Sequence, residues 1–315
     1  MEKSRLLGLF SPSLEKINYR EIDENKYNFH DMGFKHKSLY KGRGYFFSEF
    51  TSKSEYLKRT QKEIIILLDG KIDNFNELRT ELSLQANDQK ELISELYKLY
   101  PKSFERFLIG NFAIAIFDEY LKKVVLIRDH FGTKPLYYSQ REKSIAFSSE
   151  IKFLLEVDPS LASPNLEKIL NFLCQSKPNY EQTFFQEILS LPPSSKLIFS
   201  KDIFLIEEYQ HYKDYSFKGN SFKRAKKEFK DLLKKACYSK IDKTASNAIQ
   251  ISGGLDSTVI NAILEESELK SLKSFSWNFS AGKNNPRLCD ETFYQELVIS
   301  NKKSHRKIQI QSNSP

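Results

Sequence analysis

Two hydrophobic periodicities divide the chain. Up to about residue 205, short apolar runs alternate with turn residues and a few helical stretches. Leu7-Gly8-Leu9-Phe10 closes the first stretch, and residues 11 to 60 are polar and aromatic-dotted, with no strand that can be placed. Glu63 to Leu68 is an apolar, β-branched run closed by Asp69-Gly70, a strong turn signal after a strand. Asn74 is placed to cap a helix through Phe75, Leu78 and Leu82. Leu92, Leu96 and Leu99 share one face of a second helix, about Gln89 to Tyr100, which Pro101 stops. Strands are expected over Asn111–Phe117, Lys123–Ile127 and Ser144–Ser148, then helices from about Ile151 and over Leu166–Phe172. Pro164, Pro178, Pro192 and Pro193 mark a connecting region.

From about Ser221 the order changes to helix, strand, loop, helix, strand. A strand ends at Ile251. Val259, Ile260, Ile263 and Leu264 then recur at helical spacing. A strand over Leu272–Phe279, a helix over Glu291–Ser300 and a strand over Lys307–Ile310 complete the pattern. This is βαβ order, and it predicts a parallel sheet with right-handed crossovers.

Composition narrows the class. With 315 residues, about two domains are expected, each with its own core. No apolar run is long enough for a membrane span, and Met-Glu-Lys-Ser-Arg-Leu-Leu lacks a secretory apolar segment. Cys174, Cys237 and Cys289 are too scattered for a disulfide framework or metal cluster, which points to a reducing cytoplasm. The net charge of +8 is spread out. Its densest run, Lys223-Arg224-Ala225-Lys226-Lys227, is mixed with Glu228 and Asp231 on a helix. That reads as a solvated face rather than a nucleic-acid module.

The chemistry concentrates at Gln250-Ile251-Ser252-Gly253-Gly254-Leu255-Asp256-Ser257-Thr258, between strand and helix. Adjacent glycines let backbone N–H groups approach an anion. The helix N-terminus adds unpaired amides and a favourable dipole. Ser252, Ser257 and Thr258 offer hydroxyls. Asp256 repels a bare phosphate, so its natural role is to hold Mg²⁺ that bridges phosphates. The Walker pattern is absent, so this is a different phosphate loop. A plain helix cap is the competing reading.

This string resembles the pyrophosphate loop of the ATP-pyrophosphatase enzymes, in the asparagine synthetase branch. The resemblance implies that Ser252 to Thr258 bind ATP, with Asp256 on Mg²⁺, the backbone near Gln250 touching the nucleotide and Trp277 beside the adenine through its backbone. Other segments fit in order. Asp69-Gly70-Lys71-Ile72-Asp73-Asn74 resembles the Asn-Gly turn of the family's glutaminase domain, and Gly110-Asn111-Phe112-Ala113 resembles a strand of it. Arg128-Asp129 through Lys134-Pro135-Leu136-Tyr137-Tyr138 and Phe147-Ser148-Ser149-Glu150-Ile151-Lys152 are similar to two more of its segments. Leu191-Pro192-Pro193 resembles its interdomain hairpin. The fold implied is an α+β Ntn-hydrolase-like sandwich over 1–205, followed over 206–315 by an incomplete α/β parallel-sheet ATP-pyrophosphatase domain of the adenine nucleotide α-hydrolase type.

Two departures shape the functional expectation. The family's N-terminal cysteine is matched by Leu7, preceded by six residues, and its turn asparagine by Asp69, a negative charge where an oxyanion donor is needed. No glutamine hydrolysis is expected, and the first domain becomes a scaffold. The family's later acidic loop, a second Mg²⁺ ligand, lies outside this sequence, and Asp290-Glu291 reads as a helix start rather than its substitute. The activity implied is ATP-dependent amide formation through an acyl-adenylate, with ammonia or an internal amine as the nitrogen source. β-Lactam synthetases and lasso-peptide cyclases are similar in this respect. The substrate would be a small-molecule or peptide carboxylate. The alternative is a non-catalytic ATP-binding remnant, or half of a split enzyme completed by a partner chain.

Overall fold

Strands buried on both faces account for the long apolar runs of the first half. The computed structural model describes residues 4–12, 36–42, 44–51, 64–141, 143–176, 179–210, 221–241, 246–266, 272–279, 292–299 and 305–310. The chain forms two compact units, Met1–Asp214 and Tyr215–Pro315.

In the first unit, one sheet contains β1 (Ser4–Phe10), β2 (His36–Gly42), β3 (Tyr45–Thr51), β7 (Tyr137–Arg141), β8 (Ser144–Ser148) and β9 (Leu189–Ser190). Their order is β2-β3-β1-β8-β7-β9. The other contains β4 (Ile64–Ile72), β5 (Gly110–Asp118), β6 (Lys123–Arg128), β10 (Ser195–Phe199) and β11 (Phe204–Glu208), in the order β11-β10-β6-β5-β4. Every pairing in both sheets is antiparallel. The antiparallel β2–β3 pair falls in the stretch where no strand could be placed from the residues alone. Strand β11 pairs with β10 along its whole length and so lies within the first unit, across the boundary expected at residue 205.

The alternation of side chains assigns each strand residue to a layer. Leu6 and Phe10, Ile65 and Leu67, and Ala113, Ala115 and Phe117 point between the sheets. Phe10, Phe47 and Phe117 meet there, with ring centroids 5.0–5.1 Å apart. Ile64, Ile66, Leu68, Ile114 and Ile116 point outward, onto the helices α1 (Phe75–Glu81) and α2 (Gln89–Leu99). Leu7, Leu9 and Phe46 point to the opposite outer face, where α3 (Ile151–Val157) supplies Phe153 and Leu154. Two sheets sandwiched between helices result.

Asp88 caps α2, accepting from the Lys90 and Glu91 amides at 2.9 Å. Asn74, expected to cap α1, makes no side-chain cap bond. Its carboxamide instead ties the segment before β5, donating to Phe107 O at 2.8 Å and accepting from Ile109 N at 2.9 Å. The outer edge of β4 is covered by side chains. Leu68 N donates to Glu49 Oε1 at 3.2 Å, Gly70 N to Ser4 Oγ at 3.2 Å, and Ile72 N to Gln89 Oε1 at 2.7 Å. A short helix, α4 (Leu166–Leu173), precedes β9.

The second unit opens with the basic helix α5 (Phe222–Ser239), none of whose residues is buried. Strands β12 (Ala248–Gln250), β13 (Lys273–Phe279) and β14 (His305–Ile310) form a parallel sheet in the order β12-β13-β14. Helices α6 (Leu255–Glu265) and α7 (Thr292–Ile299) lie between them in sequence. A small core of Ile249, Ile251 and Ile299 joins strands to helices. Asp290-Glu291 lies outside the described residues. No helix among the described residues is long and apolar enough to cross a membrane.

Candidate functional site

The mouth between the two sheets is the first place where polar groups converge. Asp69 ends the inward-facing series Ile65, Leu67, Asp69 and is fully buried. The inward series of β1 is Leu6, Gly8 and Phe10, and continued backwards it reaches Ser4, not Leu7. Leu7 is buried in the outer layer against α3, on the far side of β1 from Asp69. Ser4 is the residue brought to the turn. Its Oγ lies 3.3 Å from Asp69 Oδ1 and accepts from Gly70 N at 3.2 Å. Gly70 holds φ +121°, and a Cβ there would stand 2.0 Å from Asn111 O. Only glycine supports that turn.

Asp69 is held by two cations. Lys134 Nζ donates to Oδ1 at 2.7 Å and Arg5 Nη1 to Oδ2 at 3.2 Å. Arg5 Nε also reaches Glu150 Oε1 at 2.5 Å. The serines before Glu150 clamp the same strand: Leu6 N donates to Ser149 Oγ at 3.0 Å, and Ser148 Oγ donates to Leu6 O at 2.9 Å. Beside them Glu49 is buried and pairs with Lys90 Nζ at 2.6 Å. Burial pushes the Glu49 carboxyl above its ordinary range, against the pull of Lys90 and the Leu68 amide.

The Arg128-Asp129 pair builds a loop. Asp129 accepts from the amides of Phe131, Thr133 and Lys134 at 2.9–3.1 Å. Arg128 donates to the carbonyls of Gly132, Lys134 and Leu191. Asp129 is spent on backbone and Arg128 on backbone and the Ser190 hydroxyl, and their effect is to hold Lys134 over Asp69. The amide after the turn and the carboxylate in it therefore both have partners from the chain itself.

The second place is the turn between β12 and α6. Gly253 has φ +91°, and Gly254 is the N-cap of α6. Ser252 Oγ accepts from Gly254 N at 3.2 Å and lies 3.0 Å from Ser257 Oγ. Thr258 Oγ1 donates to Gly254 O at 2.8 Å. The hydroxyls thus line one compact turn, and the first amides of α6 lack intrahelical partners by geometry. Asp256 stands exposed in the first turn and Leu255 is exposed beside it. Gln250 ends β12, paired with Phe275 in β13. Trp277 lies two residues further along β13 and is partly exposed. All these sequence-expected residues meet at the carboxyl ends of the parallel strands, where open α/β sheets take ligands. Among the described residues no cluster of three His, Cys, Asp or Glu side chains could hold a metal. Asp256 can contribute one carboxylate to an ion that phosphates also ligate.

Comparison with known proteins agrees with both halves of the chain. Residues 51–210 match the glutamine amidotransferase domain. The sandwich is therefore an Ntn-type amidotransferase fold. Residues 228–313 match asparagine synthase, and the chain belongs to the asparagine synthetase family. A Methanocaldococcus jannaschii protein assigned as an asparagine synthetase (glutamine-hydrolyzing) 2 is 30% identical over 248 residues, covering 75% of this chain and 46% of that protein. Asparagine synthetase (glutamine-hydrolyzing) 2 of Bacillus subtilis is 31% identical over 144 residues, 44% of this chain and 18% of the relative. The chain thus spans less than half the length of these relatives. A solved glutamine phosphoribosylpyrophosphate amidotransferase from B. subtilis overlaps 86% of this chain and 65% of its own, at 12% identity and a TM-score of 0.44.

Sequence reasoning missed Ser4, Arg5 and Gln295. Strand parity carried back from Leu6 would have found Ser4. Nothing local marks the others, because their partners are distant in sequence.

Proposed function

We propose that the chain is an asparagine synthetase-like, ATP-dependent amide-forming module whose amidotransferase domain does not hydrolyse glutamine. The observation that supports the first half is the Ser252–Thr258 turn, with its left-handed glycine, clustered hydroxyls and exposed Asp256 at the start of α6. Ser252, Gly253, Gly254, Ser257 and Thr258 would hold the triphosphate through amides and hydroxyls. Leu255 and Gln250 would contribute backbone contacts, and the Trp277 backbone would flank the base. Asp256 would hold Mg²⁺, which when bound offsets phosphate charge. In the reaction a carboxylate oxygen attacks the α-phosphorus and pyrophosphate leaves. An amine then attacks the acyl carbon and AMP leaves. The carboxylate belongs to a small molecule or a peptide, and the amine is ammonia or lies within the substrate.

Support for the second half comes from the sandwich mouth. An N-terminal nucleophile needs a free amine and open oxyanion donors. Here Gly70 N is bonded to Ser4 Oγ, and Asp69 is tied to Arg5 and Lys134. We assign the chain to a reducing, cytoplasmic setting, in keeping with free Cys174 and Cys237.

A second reading is favoured by one observation, that Asp256 is the one carboxylate at the loop among the described residues. A half-site of this kind would bind ATP without turnover until a partner chain supplies further acidic ligands. A pyrophosphate-release assay with ATP, Mg²⁺, aspartate and ammonia, run beside Asp256→Ala and followed by calorimetry, separates the two. Release lost in the variant supports the ligase, and binding without release supports the half-site. Absence of both rejects the nucleotide reading.

A further inference from the structure

Gln295 sits on α7 and is 3% exposed, the most buried polar side chain of that helix. Its Nε2 donates to Ser252 O at 3.2 Å and to Trp277 O at 3.3 Å. These carbonyls belong to different segments. Ser252 opens the phosphate turn after β12, and Trp277 lies in β13. The last ladder bond joining the two before the turn is Ile251 N to Phe275 O at 2.8 Å. Beyond it the turn leaves the sheet, and the Gln295 carboxamide spans the gap. Both protons of one amide are thereby committed to holding two backbones at a fixed separation. Among the described residues its buried Oε1 has no hydrogen-bond partner. Burying an acceptor that way is unfavourable, and an apolar side chain would fill the volume without that cost.

We propose that Gln295 is a positioning residue of the nucleotide site. It fixes the first residue of the phosphate turn against the strand that carries Trp277, so the turn keeps its shape before any ligand arrives. This inference rests on the reading that the turn takes ATP. Preorganisation of this kind strengthens binding by removing the cost of ordering the loop. The residue acts through Ser252 and Trp277 and need not touch the ligand.

The test uses the full chain, with Gln295→Met to keep the volume and remove the donors, and Gln295→Glu as the conservative variant. Hydrogen exchange of the amides from Ser252 to Thr258 is followed without nucleotide, and Mg-ATP affinity by calorimetry. Gln295→Met is expected to speed exchange across the turn and weaken ATP roughly tenfold, about the factor one net hydrogen bond supplies. Gln295→Glu can donate only when protonated. Its ATP affinity relative to wild type should therefore recover as the pH is lowered, a signature that simple packing would not produce. Unchanged exchange and affinity in Gln295→Met overturn the proposal. So does a pH-independent affinity ratio in Gln295→Glu, which also decides the matter if the Met variant does not fold. If the wild type binds no ATP, the nucleotide reading fails, and the exchange experiment still tests whether Gln295 holds the turn.

Discussion

Replacing Asp69 with asparagine should destabilise the first unit rather than open a glutaminase. The carboxylate is fully buried, while the side chains of Arg5 and Lys134 are 24% and 23% exposed. Asparagine keeps the shape but removes the charge that faces both cations at 3.2 and 2.7 Å. Breaking a buried ion pair costs about 3–5 kcal/mol. Water reaches part of both cations, so the lower end, about 3 kcal/mol, is expected here. For a unit of this size that corresponds to a melting shift of roughly 6–12 °C. Near-ultraviolet circular dichroism of the tyrosines, all but Tyr215, Tyr238 and Tyr294 of which lie in the first unit, mainly follows that unit, and Trp277, the single tryptophan of the chain, reports the second. The main tyrosine transition should move and the tryptophan transition should not. A cycle with Lys134→Met should show positive coupling, because the double variant leaves one fewer cation unpaired. Glutamine hydrolysis should stay at background in every variant. An asparagine variant melting at or above wild type would refute the argument, since the ion pairs would then hold nothing together.

Further outcomes follow from other residues. Burial raises the Glu49 carboxyl above its ordinary value of 4.5. The native state therefore binds more protons than the unfolded chain above that pH, and this group's contribution to stability is lost as pH rises through the folded value. Glu49→Gln should accordingly gain on wild type as pH increases, a trend read from urea midpoints between pH 4 and 8 (about the window in which a buried carboxyl titrates). A flat difference would remove the cause. Gly253→Ala places a side chain at φ +91°, at a cost of about 1–2 kcal/mol, and should weaken Mg-ATP binding by calorimetry. Gly254→Ala should be milder, since its φ is −74° and the added Cβ meets only Ser252 Oγ at 3.3 Å. Lys196 is buried and bonds Glu105 Oε1 at 2.8 Å. Lys196→Met should cost about 3–5 kcal/mol in thermal unfolding, and adding Glu105→Leu should restore much of it.

Much of the frame was readable from the chain. The Ile64–Leu68 run, the Asp69-Gly70 turn, the β5–β6 hairpin and the strand–turn–helix at Ser252 all carry strong local signals. Strand β2 does not, because His36-Lys37-Ser38-Leu39-Tyr40-Lys41 alternates weakly between polar and apolar. Strand β1 hides its inward face for a different reason. Both its faces are buried, so Leu6, Leu7 and Leu9 show no polar alternation to mark which side faces Asp69. The mouth itself depends on Arg5, Asp69, Lys134 and Glu150, four segments that meet only after two sheets have packed. Gln295 looked like any polar position on a short helix, and its role follows from the two carbonyls it spans.

The side chains along β4 bear on how copies of this protein can meet. Between Leu68 and Ile72 the outward amides are already given to Glu49, Ser4 and Gln89. A second molecule can find no ladder there to extend. The opposite border of that sheet, β11, presents partly exposed Phe204 and Leu205. With these three amides engaged, strand addition at this stretch of β4 would first have to break side-chain bonds. An edge-to-edge contact that pairs a strand with its own copy is two-fold and closes on itself, whereas one between two different edges can repeat into a fibre.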